Sequence, residues 1–432
     1  MSTISAGHAH PHDSHGHAHE EPQVAARHEL DVNKLTPGPG FASTARYALW
    51  FVGVIGIVVV AISYFAGNDN KQHALTSYHM GFLYALGLGL GALGLQMIFQ
   101  QFNAGWSATV RRTAETIASM FPIIALLFVP IALIELVNKQ GLIFSWMNPA
   151  NHRDHIYQEK AIWLNPTRWA VAAVIYFAIW TFLGRKLYSL SRKQDETGDR
   201  WLTARARFIS SFGLLAFALS TAFASFDWLM GMDYHWFSTM FGVYFFAGST
   251  VACLAVMCVI LTSLRISGRL GKTFTEEHQH DLGKLLFAFT VFWAYVTFSQ
   301  YFLIWYSNVP EETAFYNLRN DGDYKIVFQI LCFGHFLLPF LLLLIRPLKR
   351  NPHMLRVVAL WMIVMHAADL IYIARPIVRG VAPGQNLWVD IAGILGPTCL
   401  FLGCVVWKMS NGPLVPLKDP RLNELLAHKN YV

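Results

Sequence analysis

Long apolar stretches alternate with short polar stretches along most of this chain. Each apolar stretch has about 20 residues, the length that an α-helix needs to cross the roughly 30 Å hydrocarbon core of a bilayer. Ten such stretches occur, at about 47–66, 78–100, 114–137, 167–188, 206–230, 239–264, 284–307, 325–346, 354–374 and 389–409. They predict an all-α integral membrane protein with ten transmembrane helices, numbered here 1 to 10 in chain order.

Composition and charge add an orientation to this picture. Hydrophobic residues make up 54% of the chain and charged residues only 14%, whereas soluble domains carry about a quarter charged residues. The formal net charge of +7 comes mostly from Lys and Arg in the loops after even-numbered helices, and the turn around Asp233 has no positive charge. The positive-inside rule then places both termini in the cytoplasm. No nucleic-acid-binding module is recognisable, so the basic charge is read as a topology signal.

The chain divides into three regions. Residues 1–45 form a His-rich cytoplasmic tail and linker, residues 46–410 the membrane domain, and residues 411–432 a cytoplasmic C-terminal tail. The N-terminal tail has too few apolar residues to fold alone, so we expect it to be disordered. Its imidazoles are also candidate ligands for Zn, Cu or Ni ions; these candidates are His8, His10, His12, His15, His17 and His19.

The five cysteines all fall inside predicted helices, and none belongs to a CxxC or CxxCH motif. The sequence therefore signals neither a covalent haem nor an iron–sulfur cluster. We expect buried, inert thiols. Electron carriers for any redox chemistry would then belong to a partner subunit or to a diffusible cofactor.

Glycines crowd predicted helix 2. Gly87 and Gly91 have the four-residue spacing that lets two membrane helices approach closely. A nucleotide-binding fingerprint would need a strand before the glycines and a soluble helix after them, and neither is predicted here.

Ionisable residues inside the apolar stretches are the candidate functional groups, because charge is costly in hydrocarbon and usually faces a bundle interior or a water path. At about 1.5 Å per residue, Glu115 falls near the cytoplasmic edge, Glu135 and Asp227 near the outer edge, and His335 near the middle. His366 and Asp369 fall in the outer half of helix 9.

His366, Asp369 and Tyr372 follow one another at three-residue spacing and share a helix face. A carboxylate beside an imidazole holds its tautomer and raises its proton affinity, which suits a proton relay. A structural hydrogen-bonded pair that ties helices together is the alternative. The proton path predicted from these patterns comprises Glu135, Asp227, His335, His366, Asp369 and Tyr372.

An acidic and aromatic turn, SFDWLMGMDYHWFSTMFGVYFFAGS, joins helices 5 and 6 from Ser225 to Ser249. Its aromatic residues suit an interface belt, and Asp233 could simply cap helix 6. Asp227 lies deeper, at the membrane edge, and is a stronger functional candidate.

The chain resembles the NrfD-like, polysulfide-reductase-type family of integral membrane subunits. Within that family it is similar to the second type of such subunit (ActF) in bacterial alternative complex III. The resemblance rests on the order of ten spans, on the Ser225–Ser249 stretch and on FSQYFLIWYSNVPEET, from Phe298 to Thr313. Tyr234 departs from the family pattern, where proline is expected.

The resemblance implies two four-helix bundles, helices 2–5 and 6–9, flanked by helices 1 and 10. It also implies a place in the inner membrane of a bacterium, within a quinol:cytochrome c or oxidase-linked oxidoreductase. Electrons would pass through iron–sulfur clusters and haem c on partner subunits. The implied partners are a second NrfD-like subunit, an iron–sulfur subunit, c-type cytochromes and a terminal oxidase.

For the chain itself, the resemblance implies a proton path or a scaffold on the quinone side, with quinone or quinol as a possible ligand. In this family the sister subunit is the better-supported quinol site. Two alternatives stay open. Ten spans with buried ionisable groups also fit a secondary transporter, and a scaffold without chemistry of its own fits as well.

Overall fold

The computed structural model describes residues 30–38, 40–320, 324–378 and 384–430, without the side chains of residues 68 and 69. These residues contain ten helices that are long and apolar enough to span a membrane, which confirms the all-α, ten-helix prediction. Their bounds are Ser43–Phe65, Asn68–Gln101, Gly105–Asn138, Pro166–Thr197, Trp201–Trp228, Phe241–Ile266, Glu276–Ser307, Lys325–Leu344, Pro352–Ala374 and Leu387–Met409.

Local sequence explains several helix boundaries. Helices 4 and 9 both begin at an Asn-Pro pair, in which the asparagine side chain accepts backbone N–H groups of the first turn. Proline suits the first helical position because its missing N–H would have no intrahelical partner there. Helix 3 is interrupted at Ser119 and Met120, just before Pro122.

The ten helices form two four-helix rings, as expected. Helices 2–5 surround one interior and helices 6–9 surround the other, and helices 2 and 6 pack against each other where the rings meet. Helices 1 and 10 lie together and pack against helix 2. The apolar window of helix 2 is 94% buried and that of helix 6 is 83% buried, against 22% for helix 1. Helices 2 and 6 are therefore the centre of the molecule, and helix 1 faces lipid.

Glycine makes the contact between helices 2 and 6 possible. A Cβ atom added at Gly91 would lie 2.6 Å from Cβ of Cys253, and one added at Gly87 would lie 2.9 Å from Oγ of Ser249. Both distances are far below a van der Waals contact. The close approach predicted from the Gly87–Gly91 spacing is confirmed, and its partner is helix 6.

The two ends of the molecule differ. At one end, called the tail end, residues 30–38, 40–42 and 411–430 pack on the helix termini, where the Leu414 N–H donates to the Leu35 carbonyl at 2.8 Å. Glu115 lies there, with an oxygen 3.2 Å from Nε of Arg111. The opposite end, called the loop end, carries two short helices, His155–Lys160 and Pro310–Asn320.

Candidate functional site

A cavity of about 480 Å³ lies inside the second bundle, in its loop-end half. Its wall is mostly aromatic and comes from helices 6 to 9 and the short helix Pro310–Asn320. Tyr295 and Phe298 line it and are 65% and 64% exposed, so the cavity opens sideways to the lipid-facing surface. This size and lining are typical of pockets for small apolar ligands.

The Asp369 carboxylate is the acidic group of the cavity wall. It accepts a hydrogen bond from the Tyr244 hydroxyl and a longer one, 3.3 Å, from Nε1 of Trp293. Asp369 is only 2% exposed. In the described part of the chain, no cationic nitrogen forms an ion pair with it, since none lies within 4.0 Å. A buried carboxylate of this kind accepts a proton without first breaking a salt bridge.

Two buried histidines lie beside this carboxylate. The His335 ring packs on Trp293 with 3.9 Å between ring centroids, and the His366 ring meets Tyr84 edge-on at 5.0 Å. In the described residues both nitrogens of each imidazole lack a hydrogen-bond partner. Because buried polar groups are normally paired, these four nitrogens mark a place for water or a transferable proton.

His366 and Asp369 share a face of helix 9, as the spacing predicted. A Cβ added at Gly248 of helix 6 would lie 3.3 Å from Cε1 of His366 and 3.6 Å from Oδ2 of Asp369. The two side chains do not hydrogen-bond to each other, because Tyr244 and Trp293 supply the donors to the carboxylate. A water molecule between them would be needed for proton transfer.

Helix 8 is wound as a π-helix from Leu331 to Leu337, and this segment contains His335. Pro339 follows four residues later and has no N–H to donate to the His335 carbonyl, so the ordinary α-helical bond is missing there. Wider turns of this kind occur frequently at functional sites. The local winding therefore places an unpaired imidazole in the bundle interior.

Tyr372 continues from Asp369 towards the loop end. Its ring lines the cavity, and its hydroxyl donates to Oδ1 of Asn320 at 2.8 Å. Asp369, Tyr372, His366 and His335 thus belong to one region of the second bundle.

Asp227 and Glu135 lie in the first bundle. Arg168 holds the Asp227 carboxylate with two hydrogen bonds of 2.7 and 2.8 Å, and the Tyr176 hydroxyl adds a third of 2.9 Å. Glu135 accepts the Ile143 N–H at 2.8 Å and so closes the turn after helix 3. Neither residue contacts the cavity, so the six predicted path residues do not form one chain of contacts.

Aromatic rings fill the interior of the first bundle. They surround the fully buried Trp228, with centroid distances of 4.7 to 5.9 Å; the rings are those of Phe82, Phe128, Tyr176, Phe177 and Trp180. Helix 5, which begins the Ser225–Ser249 stretch, thus ends in a packed aromatic core. The loop-end half of the second bundle holds a cavity instead.

The remainder of the Ser225–Ser249 stretch joins the loops of the two bundles. The Tyr234 hydroxyl donates to Asp154 at 2.9 Å, and Nε2 of His235 lies 3.0 Å from the same carboxylate. These hydrogen bonds lower the pKa of Asp154 below its ordinary value. On the other side, the Trp236 ring stacks on Phe315 at 4.1 Å. The turn therefore connects the loops of the two bundles.

Sequence reasoning missed a buried polar cluster between helices 2, 9 and 10. Asp390 lies 2.8 Å from Nε2 of His73, accepts the Ser77 hydroxyl at 2.6 Å, and accepts Nε–H of Arg375 at 3.0 Å. All four side chains are buried. Asp390 is in the first turn of helix 10, and only its distant partners distinguish it from an ordinary acidic residue at a helix start.

The cysteine prediction needs a correction. Cys253, Cys258 and Cys399 are buried, but Cys404 is half-buried and Cys332 is exposed. Cys332 lines the cavity, which opens to the lipid-facing surface, so no neighbouring helix covers its side chain. No disulfide is formed among the five.

The predicted metal ligands of the N-terminal tail, His8 to His19, lie outside the described residues. Within the described ranges, no group of three or more His, Cys, Asp or Glu side chains is placed to hold a metal ion.

No protein-family model matches this chain, and no curated protein matches it significantly.

Proposed function

We propose that the chain is an integral membrane subunit of a quinol-oxidising electron-transfer complex of the alternative complex III type. In this proposal it lies in the inner membrane of a bacterium with both termini in the cytoplasm. Partner subunits carry the haem c groups and iron–sulfur clusters. Support comes from the ten-helix architecture, from the two motif stretches that resemble the family, and from the cavity of the second bundle.

The observation that carries the proposal is an apolar, laterally open cavity with a buried carboxylate in its wall. A quinol has an aromatic head that is soluble in the bilayer, and it enters a membrane protein from the lipid side. Stacking on the aromatic wall suits this head. Oxidation of the quinol releases two electrons and two protons. Asp369 is placed to accept one proton from a ring hydroxyl and, after passing it on towards Tyr372, to accept the second, while the two electrons leave to the partner subunits.

Proton movement is the second part of the proposal. From Asp369 the proton continues past Tyr372 towards the loop end, while the unpaired imidazoles of His366 and His335 offer holding sites deeper in the bundle. Asp227 is neutralised by Arg168, so we assign it a structural role. The proposed path is therefore confined to the second bundle.

A pair of substitutions on helix 7 tests the pocket. Ala294 lines the cavity, and Ala288 is exposed on the same helix. Ala294→Trp fills the cavity and should abolish binding of a short-chain quinol analogue, whereas Ala288→Trp adds the same ring at a lipid-facing position and should leave binding intact. Equal binding by both variants would show that the cavity is not the quinol site.

Purification in mild detergent tests the assembly. Co-purification of multihaem cytochrome and iron–sulfur subunits is the expected result. A stable chain that purifies alone, without any haem-containing partner, would contradict the proposal and favour the secondary transporter.

A further inference from the structure

The short helix Pro310–Asn320 lies at the loop end of the cavity. Phe315 and Tyr316 from this helix form part of the cavity wall. A turn at Asn308 and Val309 joins it to the end of helix 7, and Asn308 has a positive φ of 49°. The helix therefore covers the loop end of the cavity.

Arg319 fastens this helix to the end of helix 9. Its guanidinium donates to the carbonyls of Tyr372 at 3.1 Å and Ile373 at 2.6 Å, and to the Phe315 carbonyl of its own helix at 2.8 Å. The last carbonyls of a helix lack intrahelical donors and carry partial negative charge, so a cation is favourable there. Arg319 is fully buried, and burial lowers its pKa to about 10, which leaves it charged at neutral pH.

Apolar contacts complete the attachment. The guanidinium of Arg319 lies 3.4 Å from the ring centre of Phe315, and the Phe315 ring also stacks on Trp236. Trp236, Phe315 and Ile304 form a small cluster of buried residues apart from the continuous core, and the half-buried Met230 packs against both. A segment outside the main core can move without unpacking the bundles.

We propose that Pro310–Asn320 is a lid, clamped by Arg319 on the end of helix 9, that controls access of water and protons from the loop-end aqueous phase to Asp369. Closed, it keeps the carboxylate in a dry cavity that is open only to lipid. Open, it lets a proton on Asp369 leave past Tyr372 and Asn320. The role of the lid in turnover rests on the proposed quinol function, but its control of water access does not.

Cys332 provides a reporter of lid opening that is independent of turnover. It lines the cavity. Because the lateral opening of the cavity faces lipid, which excludes charged reagents, a charged, membrane-impermeant methanethiosulfonate can reach this thiol only from the aqueous phase at the loop end. The experiment uses the full chain in nanodiscs and follows the rate of Cys332 modification by mass spectrometry. Cys332→Ala shows which mass shift belongs to this thiol.

Arg319→Gln removes the charge and the guanidinium donors that hold the lid on helix 9. We therefore expect Cys332 to react about tenfold faster or more, which is the change in the opening equilibrium that loss of charged hydrogen bonds would cause. Arg153→Gln changes an exposed loop-end arginine outside the lid and should leave the rate unchanged. If Arg319→Gln does not fold, Trp236→Leu loosens the same helix by removing the Phe315 stack and should also speed the reaction.

Unchanged rates in folded Arg319→Gln or Trp236→Leu protein would overturn the lid. That result would leave the proposed function intact if the quinol analogue still binds the wild-type chain. Faster modification in a chain that binds no quinol analogue would support the lid and reject the quinol function.

Discussion

Replacement of Asp369 separates a proton-carrying role from a structural one. Asp369→Asn keeps the size of the side chain and an oxygen that accepts from Tyr244 or Trp293, but it removes the exchangeable proton. Loss of the charge should cost about 1 kcal/mol, the difference between charged and neutral hydrogen bonds. Asp369→Leu leaves both buried donors unpaired at about 1–3 kcal/mol each, or roughly 2–6 kcal/mol together.

The assay compares quinol-dependent electron transfer, normalised to haem content, with thermal unfolding of the same preparations. We expect the Asn variant to assemble fully and to lose turnover, and the Leu variant to lose assembly as well. Tyr244→Phe is the matched control, because it removes one donor to the carboxylate and leaves the proton acceptor. Wild-type turnover in a fully assembled Asn variant would refute the assignment of Asp369 as a proton acceptor.

Three further predictions concern packing, the tail and topology. Gly91→Leu should separate helices 2 and 6 and prevent folding, measured as loss of a monodisperse peak in detergent; normal folding would contradict the contact. Asp419 of the C-terminal tail pairs with the buried guanidinium of Arg111 in helix 3. Asp419→Asn should therefore release the tail at a cost of about 1–3 kcal/mol, measured as faster tryptic cleavage there, and unchanged cleavage would mean that other contacts hold the tail. Cysteines at Thr197 and Glu159 should react with impermeant reagents from the cytoplasm and from outside, respectively; the reverse pattern would invert the topology.

Asp419 also gives the tail contact a pH dependence with a definite sign. Burial alone would raise its pKa, but the charge of Arg111 and the hydrogen bond from Arg421 hold the pKa well below its ordinary value. A carboxyl group with a depressed pKa in the folded state stabilises at pH above its unfolded value of about 3.9. The tail contact should therefore persist at pH 5 and weaken only as the pH falls below about 4.

The ten helices were predictable because each apolar stretch is long enough to span a bilayer, and no alternative structure satisfies the backbone in lipid. The close helix approach at Gly87 and Gly91 was also predictable, because their four-residue spacing puts both on one face of the same helix. The choice of helix 6 as their partner was not predictable, because nothing in helix 2 encodes which helix lies opposite.

The sequence was enough to predict individual candidate residues, but it did not show which side chains surround them in the folded protein. An apolar context is enough to single out Asp369, His366 and His335. The donors to Asp369 come from Tyr244 and Trp293, 125 and 76 positions away, and neither is unusual in its own helix. Asp390 was not singled out at all, because acidic residues are common in the first turn of a helix and its burial could not be seen from the sequence. Arg319 lies in a loop region, where apolar context gives no signal.

Asp227 and Asp369 occupy corresponding places, each near the loop end of the last helix of its four-helix ring. Their surroundings differ in charge and in space. Arg168 neutralises Asp227, and the interior around it is filled by tryptophan and phenylalanine rings. Asp369 has only neutral donors among the described residues, and a cavity adjoins it. A carboxylate fixed by a bidentate arginine holds its charge and its position, which suits a structural joint. A carboxylate held by neutral donors beside a cavity can change its protonation state as a ligand arrives. We therefore propose that the first bundle is a rigid support and that the chemistry takes place in the second.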